Sequence, residues 1–496
     1  MPKPLHFLAV GDAPLATLEA SLGSMVPGST WEQTVARRAL LDTADRRLRE
    51  QGLFLICDEL SQGVRLSLHD AAGRALARNV VGPHCPRRAT DLADRRLEAA
   101  LAPVIGARAL LAARAWTVEQ RSQSWRNADD KLLGEIVIER HRLEGDHVLV
   151  MITLWPRRGY RRELGCAFAG RMLVPLEHLG ETSSALIDRL LPPAPGTVVD
   201  LPRLVLHTDD PLRVALGELL GRFRAVMLAN EHGIREDLDS EFLHDYRVAL
   251  RRVRTLIQAF DAIAAPPSLR NGLAWLSAQT SLLRDLDVWL EDRDGTVAST
   301  GSELRTHVAA LRRREHGRLK RLLESARYRR LQADWQSWLA TLVVPDEETA
   351  LGPAVNAAIW KRYCRLRRRI RRHGTAPTLT VLHDMRKDTK KLRYLIDAFA
   401  TLYPPPAVAT ILHDLKRLQS AAGALCDYRA RAALLVEWRD KCGSETLRAT
   451  LDEEIASYRA QEANGPEQRE SAARIEQLAG ASFAHTVSRL CGKPAK

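Results

Sequence analysis

LHDYRVALRRVRTLIQAF, Leu243 to Phe260, returns 139 residues later as LHDMRKDTKKLRYLIDAF, Leu382 to Phe399. If both are helices turning 100° per residue, His244, Arg247, Arg251 and Arg254 share an arc of about 80°, with Arg252 on its flank. His383, Arg386, Lys390 and Arg393 fall the same way, flanked by Lys387 and Lys391. The opposite arcs hold Tyr246, Leu250, Val253, Ile257 and Phe260, and Met385, Leu392, Ile396 and Phe399 with the polar Thr389 among them. Each stretch therefore predicts a helix with one core-forming face and one cationic face. Ordinary solvated faces mix signs, because opposite charges three or four residues apart stabilise a helix. These two arcs carry only histidine and positive charge, at the same offsets.

The repetition extends beyond the two stretches. Pro266 and Pro267 match Pro405 and Pro406 at the same offset, whereas Asp285 in LLRDLDVW and Asp427 in ALCDYRAR are 142 apart, a slip of three residues. Each copy reads as a helix, the histidine-led helix, a proline pair, and another helix with an aspartate near its end; two similar helical bundles packed together are the simplest architecture. Helical periodicity also covers Pro211 to Asn230, His244 to Ala264 and Ser302 to Leu342. Upstream, LPPAPGTVVDLP from Leu191 to Pro202 interrupts all periodicity and reads as a linker. Before it, GVRLSLHDAAGRALARN and EIVIERHRLEGDHVLVMITLWPRRG read as strand pairs joined at Asp-Ala-Ala-Gly and Glu-Gly-Asp. The expected order is an α+β domain with an antiparallel sheet over residues 1–190, a linker over 191–205, and an all-α domain over 206–496, with repeat one over about 206–345 and repeat two over about 346–496.

The net charge of +13 is uneven: residues 1–200 hold 26 basic and 24 acidic side chains, residues 201–496 hold 48 and 37. A basic excess inside a folded domain points to a polyanionic partner. No run reaches the roughly 18 apolar residues of a membrane span, and MPKPLHFLAVGDAP lacks the charged start and apolar core of a signal peptide, so no membrane role and a cytoplasmic address are expected. Seven cysteines, at 57, 85, 166, 364, 426, 442 and 491, form neither a CxxC nor a Cys/His ligand set; reduced, mostly buried thiols are expected.

Two like-charged faces brought together form a cavity that favours an anion. Cations one helical turn apart, about 5.4 Å, suit a linear polyanion. Arginine brings forked donors and lysine movable point charges. The structural alternative is pairing of the arginines with Asp285, Asp287 and Asp427, but nine Arg and Lys exceed three carboxylates. His244 and His383 either donate to phosphate, gaining charge below about pH 6.5, or orient their helices through the backbone. No acidic or histidine partner shares their arc, which speaks against a metal. Two further basic runs, LRRREHGRLKRLL at Leu311 and CRLRRRIRRHG at Cys364, extend the site or are solvated faces.

The pattern HxxRxxxRRxR, at His244 to Arg254 and again at His383 to Arg393, resembles the CHAD domains, named for conserved histidines in an α-helical domain. LRDLDVWL at Leu283, ESARYRRLQADWQSWL at Glu324 and LQSAAGALCDYR at Leu418 add to the likeness, while Asp287 of copy one is replaced by Arg429 in copy two. The resemblance implies two pseudo-symmetric four-helix bundles, a basic central pore, and binding of inorganic polyphosphate without catalysis, cofactor or metal, with association with polyphosphate granules as an extension. Its expected phosphate-binding residues here are His244, Arg247, Arg251, Arg252, Arg254, His383, Arg386, Lys387, Lys390, Lys391 and Arg393.

RRALLDTADRRLREQGLFLICDEL, Arg37 to Leu60, resembles the CYTH stretch of triphosphatases and adenylate cyclases, an antiparallel tunnel fold. The two phosphate-binding arginines of that pattern fall at Ile56 and Asp58, the opening acidic motif is missing from Leu5 to Pro14, and VLVMITLW at Val148 has no acid. Without carboxylates to hold a divalent ion against a triphosphate, an inactive remnant is expected. The alternatives are an inorganic triphosphatase acting through this domain and a nucleic-acid binder; for the latter, Tyr394 is the only stacking aromatic beside the arcs.

Overall fold

The computed structural model describes residues 4–9, 31–169, 176–180, 204–291, 302–342 and 349–492, apart from 62, 72–74, 81, 83, 93, 128, 130, 144–147, 376, 442 and 465, and its contacts divide the chain into units 1–200 and 201–496. The linker segment 191–202, residues 10–14 and Cys442 lie outside the described residues.

In the first unit the alternating stretches form strands β1 (Leu5–Ala9), β2 (Glu32–Asp42), β3 (Phe54–Leu60), β4 (Gly63–His69), β5 (Ala75–Val80), β6 (Leu111–Arg126), β7 (Leu132–Arg142), β8 (Val148–Pro156) and β9 (Leu176–Gly180). They make one antiparallel sheet in the order β5-β4-β3-β2-β6-β7-β8-β1-β9. Both expected hairpins are present, as β4-β5 and β7-β8. A one-turn helix α1 (Arg47–Glu50) and helices α2 (Arg95–Ile105) and α3 (Arg161–Ala169) accompany the sheet.

Period-two alternation sends Leu55 and Cys57 into a core with Leu97, Leu101 and Ile105 of α2, and Ile136, Ile138, Ile152 and Leu154 into one with Leu164 and Phe168 of α3. The other face gathers Leu8, Leu40, Phe54, Trp116, Val118 and Met151 in one cluster. Phe54 on β3 and Met151 on β8 are separated by three strands, so the sheet curls around that face. The expectation of reduced thiols fails at Cys57 and Cys85, which form a disulfide across 28 residues; nothing in their spacing reveals that residue 85 returns to β3. The expectation of mostly buried thiols also fails: among the described free cysteines Cys491 is buried, Cys364 and Cys426 are half-buried and Cys166 is exposed.

The second unit is helical: α4 (Leu212–Arg235), α5 (Ser240–Ala259), α6 (Pro267–Gln279), α7 (Ser281–Glu291), α8 (Ser302–Leu323), α9 (Ala326–Ala340), α10 (Leu351–His373), α11 (Leu379–Ala398), α12 (Pro405–Lys441), α13 (Glu445–Asn464), α14 (Pro466–Ala479) and α15 (Ala481–Leu490). No described helix is long and apolar enough to cross a membrane. Asp239 caps α5 by accepting from the amides of Glu241 and Phe242. The proline pairs open α6 and α12, where a missing N–H costs nothing. The periodic segment from Ser302 to Leu342 is two helices, because Ser325 accepts from the Tyr328 amide and starts α9 afresh.

The repeat is visible as matched helices: α4 and α10 start at Leu212 and Leu351, and α5 and α11 at Ser240 and Leu379, each 139 residues apart. The three-residue slip has a physical form. Copy one breaks its helix at Thr280 into α6 and α7, whereas copy two runs on as the 37-residue α12. Phe260 and Phe399, equivalent residues, meet edge to face at 5.7 Å. Residues of α7 and α8 share one core with residues of α12 and α13, including Trp289 against Trp438 at 6.4 Å.

Candidate anion-binding site

Burial of one face fixes where the other points. Tyr246, Leu250, Val253, Ile257 and Phe260 of copy one, and Met385, Thr389, Leu392, Ile396 and Phe399 of copy two, are all buried. Thr389, the polar intruder, donates to the carbonyl of Met385 at 2.8 Å, so its hydroxyl needs no other partner. The C-terminal halves of α5 and α11 meet at the Phe260–Phe399 contact and at an ion pair between Arg252 and Asp397, 2.7 Å apart.

The cationic rows consequently converge. Burial, together with Arg386, Arg251 and Arg393, pushes the Lys390 ammonium down to about 8 although Asp427 opposes them. Burial and the neighbouring Arg251 push Arg247 down to about 10. Burial lowers Arg254. Burial lowers Lys391 too, with Arg362, Arg365 and Arg254 adding to it. The buried Nε atoms of Arg251, Arg386 and Arg393 have no hydrogen-bond partner. An unpaired buried donor on a charged group is costly, so this cluster is poised for an acceptor.

Each expected residue has a distinct place. Arg251, Lys390, Arg386 and Arg393 lie together; Arg247 joins them on one side and Arg254 with Lys391 on another. Arg247 donates to the carbonyl of Ser277 (3.1 Å) and the hydroxyl of Thr280 (2.6 Å), closing the end of α6. Its counterpart Arg386 lies against α12 at Gly423, where a side-chain Cβ would sit 3.4 Å from the guanidinium, and donates weakly to Asp427 at 3.4 Å. Arg252 belongs to the helix contact, paired with Asp397 and lying over the rings of Phe223 and Tyr394. Lys387 is exposed, 3.7 Å from Asp384. His244 is half-buried and lowered by burial and Arg284; His383 is exposed and lowered by burial, Lys387 and Arg386. Both imidazoles are therefore neutral at pH 7.

The carboxylate alternative fails in part. Asp287 is taken by Arg312 of α8 at 2.8 Å, its carboxyl pushed up to about 6 by burial despite that partner. Asp285 is also raised by desolvation, with Arg247 opposing and Asp427 adding to the rise. Asp285 and Asp427 line one cleft of 350 Å³ with Val288 and Arg431. The basic run at Leu311 is largely structural: Arg312 also binds Asp237, Arg318 binds Glu315 and Gln279, and His316 meets the carbonyl of Ile234. Tyr394 is buried beneath Arg252 and Arg393. Arg362, Asp397 and Gly423 escaped the helical projection, which sees only one helix at a time, whereas Arg365 belongs to the basic run at Cys364.

The interior of the sheet holds a polar group that sequence reasoning missed. Arg38 makes two bonds to Asp58, at 2.6 and 3.2 Å, and a third contact to Glu139 at 3.0 Å. Burial would raise the Glu139 carboxyl, but Arg38 and His141 hold it below its ordinary range. Burial pushes His141 down to about 4, and its Nδ1 accepts from the indole of Trp116 at 3.0 Å. Among the described residues, no group of three or more His, Cys, Asp and Glu is arranged to hold a metal ion.

Residues 218–436 match the model of the CHAD domain family. Among solved structures, the CHAD domain from the plant Ricinus communis is 24% identical over 55% of this chain and 95% of that one, with a TM-score of 0.51. PptA from Streptomyces chartreusis is 17% identical over 55% and 98%, with a TM-score of 0.40. HpAC1 from Hippeastrum, described as an adenylyl cyclase with a dominant triphosphatase activity, is 14% identical over 39% and 98%, with a TM-score of 0.31. No curated protein matches the chain.

Proposed function

We propose that the CHAD domain within residues 206–496 of this chain binds inorganic polyphosphate, without catalysis, between the cationic faces of α5 and α11. One observation carries the reading: two like-charged faces are packed together, leaving Lys390 down at about 8 and the Nε atoms of Arg251, Arg386 and Arg393 unpartnered. An anion with a charge on every unit along a line relieves both costs at once. Arg251, Arg386 and Arg393 supply forked donors, Lys390 a point charge, and Arg254 and Lys391 continue the row. Arg247 shapes the wall. His244 and His383, neutral at pH 7, each offer one N–H.

A nucleic acid fits less well, because sequence-tolerant strand binders present aromatic faces to bases and Tyr394 is buried under two arginines. A triphosphatase in the first unit fits less well too. A divalent ion needs carboxylates free to take it, and Asp58 and Glu139 already hold Arg38. Granule association would follow from binding long polymer.

Titration of the whole chain with long-chain polyphosphate at several salt concentrations tests the proposal. Tight binding that weakens steeply with salt is expected, because phosphate contacts release counterions. Arg251→Glu with Lys390→Glu should weaken it by at least about a hundredfold while leaving helical circular dichroism unchanged. Retained binding by that variant, preference for DNA at equal ionic strength, or phosphate release from tripolyphosphate with Mg²⁺ would overturn the reading.

A further inference from the structure

We infer that an arginine row on α10 is a second anion station, continuous with the cleft between α5 and α11, and that it holds the outgoing stretch of a long polyphosphate chain. The inference rests on the polyphosphate reading and adds a path and a length dependence to it.

The row is peculiar to the second repeat. Helix α10 contains eight Lys and Arg and no Asp or Glu, whereas its counterpart α4 contains four basic and two acidic residues. Arg365, Arg368, Arg369 and Arg372 stand where α4 has Val226, Ala229, Asn230 and Gly233. A requirement of the shared fold would appear in both copies, and this one does not. Buried Tyr363, Leu366 and Ile370 anchor α10, so Arg365, Arg368 and Arg372 are exposed. Cations in a last turn complement the helix dipole. That accounts for Arg371, Arg372 and His373 but not for Arg365 or Arg368 further back.

The row lines a cavity of 290 Å³ between α10 and the start of α11, bounded also by Val381 and Asp384. The carboxylate in its lining, Asp384, holds Arg369 at 3.0 Å, and Asp388 of α11 lies 3.5 and 3.4 Å from Arg365 and Arg369. Among the described residues, no carboxylate pairs with Arg368 or Arg372.

A track joins this cavity to the cleft. Lys391 lies in the field of Arg254 on one side and of Arg362 and Arg365 on the other. Lys391, Lys387 and His383 follow at successive i−4 steps along α11, a run of about 12 Å at 1.5 Å per residue, and end beside Asp384. A polyphosphate leaving the cleft at Lys391 thus passes the ammonium of Lys387 and the ring N–H of His383 on its way to the α10 row.

The test compares tripolyphosphate, too short for both stations, with long-chain polyphosphate on the intact chain. Arg368→Ser with Arg372→Ser, both exposed, should weaken long-chain binding about tenfold and flatten its salt dependence, since two phosphate contacts are lost. Tripolyphosphate binding should not change. Unchanged long-chain affinity, or equal losses for both ligands, overturns the second station while the cleft reading stands. If Arg251→Glu with Lys390→Glu leaves both ligands bound as before, the cleft reading itself fails, and the second station falls with it.

Discussion

Helices α5 and α11 carry the same row of cations, yet the matched arginines Arg247 and Arg386 do different things. Arg247 is anchored by Ser277 and Thr280 at the break between α6 and α7. Arg386 faces an unbroken α12, with Gly423 beneath it and one long bond to Asp427. The three-residue slip is the cause: where the helix breaks, the chain exposes a carbonyl and a hydroxyl for the arginine to bind, and where it continues, those groups are satisfied within the helix. The same position therefore braces the fold in one repeat and is held by a single long bond in the other.

Substituting each arginine in turn separates brace from ligand contact, with the largest effects expected here. Arg386→Ala should weaken polyphosphate binding about tenfold, the loss of a charge-assisted contact, with little change in stability. Arg247→Ala should cost about 1–3 kcal/mol of stability in denaturant unfolding, because the buried Thr280 hydroxyl loses its donor. Equal effects of the two substitutions on binding and stability would erase the distinction between the repeats.

Lys390 and its counterpart Arg251 differ in what they can titrate. With a pKa of about 8 in the free protein, Lys390 is charged below that pH, and bound phosphate raises its pKa. Affinity should then vary little between about pH 6.5 and 8 and fall as pH rises above 8. Lys390→Met should remove that fall, whereas Arg251→Met should keep it. Stability runs the opposite way. The folded pKa is depressed below the unfolded value near 10.5, so the unfolded chain binds more protons between the two and stability rises with pH across that window. Below pH 8 the charged Lys390 is a burden, and Lys390→Met should stabilise the ligand-free protein by about 1–3 kcal/mol. A lower melting temperature for this variant at pH 7 would contradict the crowding of the two rows.

The histidines should give the smallest effects. Both are lowered below 6.5 and so are uncharged at pH 7. His244→Ala and His383→Ala should each change affinity by less than about fivefold there, the scale of one neutral hydrogen bond. Affinity should rise as pH falls below 6.5 and the imidazoles gain charge. Because His244 is half-buried and His383 exposed, thermal melting should detect the first substitution more readily than the second.

Much of this was legible in advance. The buried faces of α5 and α11 are those of the helical projection, the prolines start α6 and α12, and the two hairpins of the sheet lie on the quoted alternating stretches. Other features were not. The Cys57–Cys85 bridge, the capture of Asp287 by Arg312, and the grip of Asp58 and Glu139 on Arg38 join residues far apart in sequence. The end of α8 was readable in principle, since Ser325 is a good N-cap, but unbroken periodicity on both sides concealed it.

By itself the sequence determined which side of each helix is cationic, because helical period is a local property and a repeat shows itself by comparison of the chain with itself. Only the tertiary structure decided that the two cationic sides meet, that Arg247 braces while Arg386 does not, and that α10 continues the positive track past α11. Those outcomes depend on which distant groups are brought within a few ångströms of one another, where burial and low dielectric make charge interactions strong enough to matter. No periodicity along the chain encodes that distance.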